Sequence, residues 1–321
     1  MDIFRDYFTR ENLVRALEKA PYTPGRLGEL GLFETVPLTS TTFAVEEQTT
    51  EAGRVLTAIS RGGPRSTTSL EKRKVHTFTT ASYGDDGAVY ADEVLAARGM
   101  GTAGQAEVVE ERRQRLVNKL RRNVDLTLES LRMTALLSPG TTEFGATPAE
   151  QSIALSVDAT KTRAEVFTKI IVPIENALDG LTFTGIHVFC SDGFWTNLIE
   201  NKAIKDTYLG YQAAAELRND PRQMFTFGNV TWERYRGTSA VKITDNKAVA
   251  FPLGVADTFW QAFAPNDTME SAGAGALGQP YYLGSMPVQD AMGIKAMQVA
   301  IATHPRVLCG RPACIRPLAF S

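Results

Sequence analysis

The chain is poor in the residues that most often carry enzyme chemistry. Its 321 residues include three cysteines and three histidines. Cys190, Cys309 and Cys314 are too few and too scattered for a disulfide framework, and a reducing cytosol is the natural place of synthesis. No charge of one sign dominates: 34 Lys and Arg face 36 Asp and Glu, for a formal net charge of -2. That balance excludes a general electrostatic pull toward nucleic acid or an anionic membrane surface. No apolar run approaches the ~20 residues that cross a bilayer, so no membrane contact is expected. The opening "MDIFRDYFTRENL" lacks the apolar stretch of a signal peptide. What is present is ordinary: 43% hydrophobic and 22% charged residues, enough for a sizeable core and perhaps two domains.

The motifs of common catalytic sites are also missing. There is no G-x-S-x-G elbow, no H-E-x-x-H and no Walker A loop. Ser191 in "FCSDGFW" lacks the glycine two residues before it. Cys309 and Cys314 form one loose pair near His304, where zinc wants four ligands in tight pairs; isolated thiols in a proline-bound surface tail are the expected state. His187 and Cys190 fall on opposite faces of one strand and cannot easily share a metal. His76, among threonines, reads as a solvated strand residue. Asp192, Asp206 and Asp257 could meet in space, but helix caps and loops explain them, with Asp192 a candidate N-cap. No cofactor, metal or catalytic residue is assigned.

The periodicities then give an order of elements. A short helix carrying Phe8, Leu13, Val14 and Leu17 stops before Pro21. "APYTPGRLGELGLF" reads as an irregular arm rather than a core element. Residues 41–95 read as a long β-hairpin, from "TTFAVEE" and "GRVLTAIS" to the return strand "KRKVHTFTT". It has few large apolar groups and cannot form a core of its own, so it must lie on something else.

Residues 105–138 carry the strongest helical signal. Val117, Leu120, Val124, Leu128, Leu131 and Ala135 share a face, and acids precede bases as the helix dipole favours. Such a helix would be ~45 Å long, a spine rather than a domain element. A second helix covers about 160–179. "TFTGIHVFCSDGFWTNLIEN" then reads as a buried strand entering a helix, and 204–219 as helical. The chain turns β-rich from Gln223. "NDTMESAGAGALGQP" reads as a flexible loop, followed by two strands, "YYLGSMPVQ" and "IKAMQVAIATH". The last 17 residues, "PRVLCGRPACIRPLAFS", hold three prolines that forbid continuous regular structure.

One stretch, "AISRGGPRSTTSLEKRK" from Ala58 to Lys74, could be a phosphate cradle, a nucleic-acid finger or the tip of an arm. It lacks the strand-to-helix context of a dinucleotide loop, as does "AGAGALG" later. Its Arg61, Arg65, Lys72, Arg73 and Lys74 have no interleaved aromatics on which bases could stack. A solvated or partner-facing tip is the better reading.

An arm, a long hairpin, a spine helix and two mixed α/β regions, in that order, resemble the HK97 fold of tailed-phage capsid proteins. Within it the sequence resembles the major capsid protein E family of phage lambda and its relatives. The likeness lies in "GRVLTAISRGGPRSTTSLEKRKVHTF", in "IHVFCSDGFWTNLIENKAIKD", and in "FTFGNVTWERYRG" followed by "VAFPLGVADTFWQAFAPND". It rests on order and spacing, not on one decisive motif.

The resemblance implies an α+β capsid fold with an N-terminal arm (1–40), an E-loop hairpin (41–95) and a P domain around the spine (96–180). An A domain (181–270) follows, then return strands with a C-terminal tail (271–321). It implies a structural protein whose main partner is itself, as hexamers and pentamers of an icosahedral shell around double-stranded DNA held by non-specific contact. Portal, scaffold and decoration proteins are further implied partners. The implied location is the virion, after assembly in the host bacterial cytoplasm. Inter-subunit contacts are expected at Arg61, Gly62, Gly63, Arg65, Lys72, Arg73 and Lys74 of the hairpin and at Phe4, Tyr7, Phe8 and Tyr22 of the arm. An encapsulin-like compartment of the same fold and an α/β hydrolase built on the middle region are the alternatives.

Overall fold

A computed structural model describes residues 25–49, 72–93, 105–138, 144–145, 147–153, 159–202, 204, 224–291 and 293–320. Strands β1 (Glu34–Pro37), β2 (Thr42–Thr49), β3 (Lys72–Thr79) and β4 (Tyr83–Tyr90) precede a 33-residue helix. A four-residue turn of helix, α1 (Arg26–Glu29), comes before β1, and the long helix is α2 (Gln105–Leu137). The expected spine is therefore present with its expected bounds. It buries two stripes rather than one. Leu120, Val124 and Leu128 pack with Phe263, Val299 and Ile301, whereas Met133, Ala135 and Leu136 pack with Phe189, Phe251 and Leu27. Val117 and Leu131, from the expected face, are only half-buried.

Behind the spine lies a six-stranded mixed sheet. Its members are β5 (Gln151–Ile153), β6 (Gly185–Cys190), β7 (Phe225–Phe227), β8 (Val230–Arg234), β9 (Lys247–Leu253) and β14 (Arg316–Phe320), in the order β5-β14-β9-β6-β8-β7. Alternation along β6 and β9 sorts their side chains to two cores. Val188, Cys190, Ala248 and Ala250 enter one, with Phe194 and Trp232; Phe189, Val249 and Phe251 enter the other, against the spine. Helices α3 (Ala159–Val166) and α4 (Val172–Leu178), joined by a π turn at Phe167–Ile171, supply Val166, Ile170 and Ile174 to the first core. Helix α5 (Asp192–Glu200) follows β6 directly, as the strand-to-helix pattern indicated. The β7–β8 turn is Gly228-Asn229, both at φ 64°, the left-handed conformation a two-residue hairpin requires.

Two smaller sheets complete the body. β10 (Phe259–Phe263) lies between β1, parallel, and β13 (Pro305–Cys309), antiparallel. β12 (Gly293–Thr303) lies between β11 (Tyr282–Asp290) and β4. β4 thus continues from the hairpin's return strand into a sheet covering the spine, with Gly87 close to Leu116.

Several expectations need correction. "GRLGELGLF" is no loose arm: Leu27 is fully buried, Phe33 nearly so, and β1 joins a sheet. The segment expected to be a flexible loop holds a helix, α6 (Met269–Ala274), capped by Thr268 and ended by Gly275 at φ 57°. The C-terminal tail contributes β13 and β14. Its prolines fall where they are tolerated: Pro305 opens β13 and Pro312 opens a single 3-10 turn. Pro317 sits within β14, opposite Val249. Cys309 and Cys314 are consequently buried, not on surface chain. The N-terminal helix and most of 204–219 lie outside the described residues.

Candidate assembly surfaces

β2 and β3 pair antiparallel, from Thr42↔Thr79 to Thr49↔Lys72, and form a ribbon with two unlike faces. Phe43, Val45 and Glu47 face inward with Phe78, His76 and Lys74; Ala44 and Glu46 face outward with Thr77 and Val75. Only the root of the inward face is covered. Phe78 is 3% exposed, lies 5.5 Å from Phe144 between ring centroids, and has the Arg306 guanidinium 5.7 Å from its own. Phe144 in turn meets Trp260 edge-on at 6.1 Å. Among the described residues the outward face has no such cover: Val75 is 62% exposed, in the middle of a β-branched and threonine-rich strand.

His76 corrects an expectation. It is buried, its ring tilted against Phe144 at 4.8 Å between centroids, and its Nε2 is 2.9 Å from Glu47 Oε2 across the ribbon. An alternating threonine strand looks solvated from sequence, but the partner that covers its inner face, Phe144, is 68 residues away (76 to 144) in the chain. Of the charged residues assigned to inter-subunit contact, Arg73 pairs with Glu46 of its own ribbon at 3.3 Å, and Lys74 is exposed. Lys72 closes the described end of β3. Arg61, Gly62, Gly63 and Arg65, with Phe4, Tyr7, Phe8 and Tyr22, lie outside the described residues.

A second surface was not foreseen. The β11–β12 ribbon exposes Leu283 (55%), Met286 (60%) and Ile294 (60%), and neighbouring β4 exposes Tyr90. Val288, Ala296 and Tyr90 form one row across the three strands. β11 is also an edge strand nine residues long, the kind of free edge that isolated proteins shorten or cover. The signal available in sequence was an apolar pair of strands, Leu283 to Val288 and Ile294 to Ile301, with no helix of matching amphipathicity beside the first.

The groups weighed for chemistry serve the fold. Ser191, not Asp192, is the N-cap of α5: its hydroxyl accepts from Phe194 N, as well as from Lys247 N at 3.1 Å. Asp192 instead receives Arg234 Nε at 2.6 Å. Asp257 occupies a turn at φ 56°, and Asp206 lies outside the described residues. His187 and Cys190 do take opposite faces of β6. His187 packs on Phe189 and Phe251, and Cys190 enters the other core. Burial pushes the Cys190 thiol well up and that of Cys309 up to about 12, so both stay protonated and unreactive. Among the described residues no three His, Cys, Asp or Glu side chains converge as metal ligands. A polar hollow of about 510 Å³ between Ser191, Asp192, Thr238, Lys242 and Asp245 is partly filled by the Asp245 carboxylate accepting from Gly193 N.

Comparison with known proteins agrees with a surface built for association. The family described as Phage major capsid protein E matches residues 9–318. The major capsid protein of Salmonella phage Felix O1 is 25% identical over 219 residues, which span 64% of this chain and 59% of that relative. The capsid structure of cyanophage P-SCSP1u superposes with a TM-score of 0.61 over 99% of this chain and 94% of that one, at 9% identity. The capsid of Myoviridae phage XM1 gives 0.56 over 98% of both chains at 10% identity. At such identities the two structures establish the fold, which is the HK97-like α+β capsid fold.

Proposed function

Because the chain belongs to the phage major capsid protein E family, a family of structural rather than enzymatic proteins, we propose that it is the repeating subunit of a phage head, closing into an icosahedral shell around double-stranded DNA. The observation that carries the reading is the β2–β3 ribbon: root anchored on Phe144 and Arg306, outer face bare at Val75. Two strands alone are marginal in water, so the ribbon finishes folding against another surface. In a shell of identical subunits the surface at hand is a neighbouring copy. The β11–β12 ribbon offers exposed apolar residues, with Met286 and Val288 on one side and Leu283 on the other, and an edge strand of the required kind.

In this reading Arg61, Gly62, Gly63, Arg65, Lys72 and Lys74 meet acids of a neighbour, and Phe4, Tyr7, Phe8 and Tyr22 cross a second interface. Arg73, already paired with Glu46, contributes less. The region 181–270, which supplies four of the six strands of the large sheet (β6, β7, β8 and β9), surrounds the five- and six-fold axes, and the spine with β4, β11 and β12 forms the periphery. Obligate contacts of this kind bury upwards of ~2,000 Å². The near-zero net charge suits a container, since a strongly basic inner wall would hold DNA by counterion release. Portal, scaffold and decoration proteins are the other expected partners, and the host cytoplasm the place of assembly.

The test is electron microscopy of the purified full chain, with nucleic-acid content and mass measured on the same sample. Hexamers, pentamers or closed hollow particles support the reading. A discrete small oligomer with no larger species at any concentration or ionic strength overturns it. Closed particles that form in the cell around enzyme cargo rather than a genome would favour a cellular compartment of the same fold.

A further inference from the structure

The spine helix buries a carboxylate on its second apolar stripe. Glu129 is fully buried, at i−4 and i−7 from Met133 and Leu136 on the second apolar stripe. A buried charge is costly unless compensated, and it is seldom retained for stability alone. Its Oε1 accepts from Leu27 N at 2.9 Å and from Tyr235 Oη at 3.1 Å. Its Oε2 lies 3.7 Å from Arg132 Nη1. Arg132 donates through Nε and Nη2 to Gln261 Oε1 at 3.0 and 2.8 Å, and Gln261 donates to Thr35 Oγ1 at 2.7 Å. A Cβ on Gly28 would stand 2.8 Å from Arg132 Nη1, so the guanidinium lies close against α1.

A second carboxylate holds the same turn from the other side. Arg26 donates through Nε and Nη2 to the two oxygens of Glu233, at 2.6 and 3.2 Å. Buried His187 reaches Glu233 Oε2 at 3.0 Å. Thus a four-residue helix, far too short to persist alone, is tied at consecutive residues to groups 207 and 102 positions away. These ties define the orientation of α1, the last described element before residues 1–24.

We propose that Glu129 and Glu233 form a two-point clamp that fixes the orientation of α1 on the subunit body. Its purpose rests on the shell reading, in which the arm must meet a neighbouring copy at one angle; its existence does not. Bonds to charged groups are worth roughly 1.5–3 kcal/mol each, or about tenfold to hundredfold in a local opening equilibrium.

The test is hydrogen exchange on the unassembled full chain, followed by assembly of the same samples. Glu129→Ala and Arg26→Ala are each expected to raise exchange at residues 26–30 by about tenfold or more, with the amides of β6 and β9 unchanged. Glu129→Gln, which keeps an acceptor oxygen, is expected to restore most of the protection. Both alanine variants are expected to give shells of mixed size at temperatures well below their unfolding. If Glu129→Ala does not fold, Arg26→Ala, at a partly exposed side chain, carries the test. Unchanged exchange at 26–30 in Arg26→Ala, or Glu129→Gln as loose as alanine, overturns the clamp. Loosened exchange with shells of uniform size overturns its role in directing the arm. Absence of shells from the unsubstituted chain counts against the shell reading alone, because the exchange result stands without assembly.

Discussion

The six-stranded sheet has strands of three to seven residues and the β2–β3 ribbon two strands of eight, and the two are built on opposite logic. Each face of the sheet has a core of its own: α3, α4 and α5 cover one, and the C-terminal half of the spine covers the other. Trp232, at 0% exposure, even finds an acceptor for its indole N–H in Phe227 O at 3.2 Å. The ribbon buries Phe78 and His76 at its root and leaves Val75 to solvent. On the proposed reading, the sheet is where the subunit's stability resides, and the ribbon is where its need for neighbours resides. A substitution in one should leave the property of the other largely intact.

The sharpest way to break that division is deletion of Arg61 to Arg65, the expected tip of the hairpin. The expected outcome is complete loss of closed particles by microscopy, with the subunit's denaturant midpoint within about 0.5 kcal/mol of the parent. Normal shells from the deletion would remove the ribbon from assembly. The converse substitution is Trp232→Ala. Removing a fully buried indole costs about 3–5 kcal/mol in equilibrium unfolding, and any assembly defect should track unfolding rather than precede it.

A smaller effect is expected at acid pH. Burial alone would raise the Glu233 carboxyl, but its bonds to His187 and Arg26 outweigh burial and hold it below the ordinary carboxylate range. A depressed folded value contributes stability above the ordinary range, and that contribution is lost as pH falls through the depressed value. Glu233→Gln should therefore lower stability by about 1–3 kcal/mol at neutral pH and flatten the acid limb of the stability profile, read by urea midpoints across pH. An unchanged acid limb would show that the pair is not formed in solution. The smallest change is expected from Val75→Ser. Its outward position predicts less than about 0.5 kcal/mol on the free subunit, but a measurable rise in the protein concentration needed to form particles. A large loss of subunit stability would place Val75 in an intramolecular core instead.

Legibility in the sequence followed the range of the interactions. The spine, β6 with α5, and the β11–β12 pair are local patterns and were read nearly to their bounds, whereas the β7–β8 turn at Gly228-Asn229 was not singled out within its β-rich stretch. β1, β13 and β14 are short strands whose partners are remote: β1 pairs with β10 more than 200 residues on, and β14 joins β9 and β5. Prolines and glycines in those segments argued for loops, and tertiary pairing overrode them. Glu129 was missed because a helix dense in charge hides one buried carboxylate. Its spacing from Met133 and Leu136 was the available signal. His76 was misread for lack of Phe144, which no local pattern connects to it. The proposed assembly surface was legible as a ribbon too polar to fold alone, whereas the exposed apolar residues of β11 and β12 emerged only from the structure.

The central claim is that the ribbon completes its packing on another copy of the chain. Hydrogen exchange at β2 and β3, compared between free subunits and assembled particles, tests it directly. Protection should rise at Ala44–Glu46 and Val75–Thr77 on assembly, while β6 and β9 keep the protection they already have in the free subunit. Equal protection of the ribbon in both states would contradict the account.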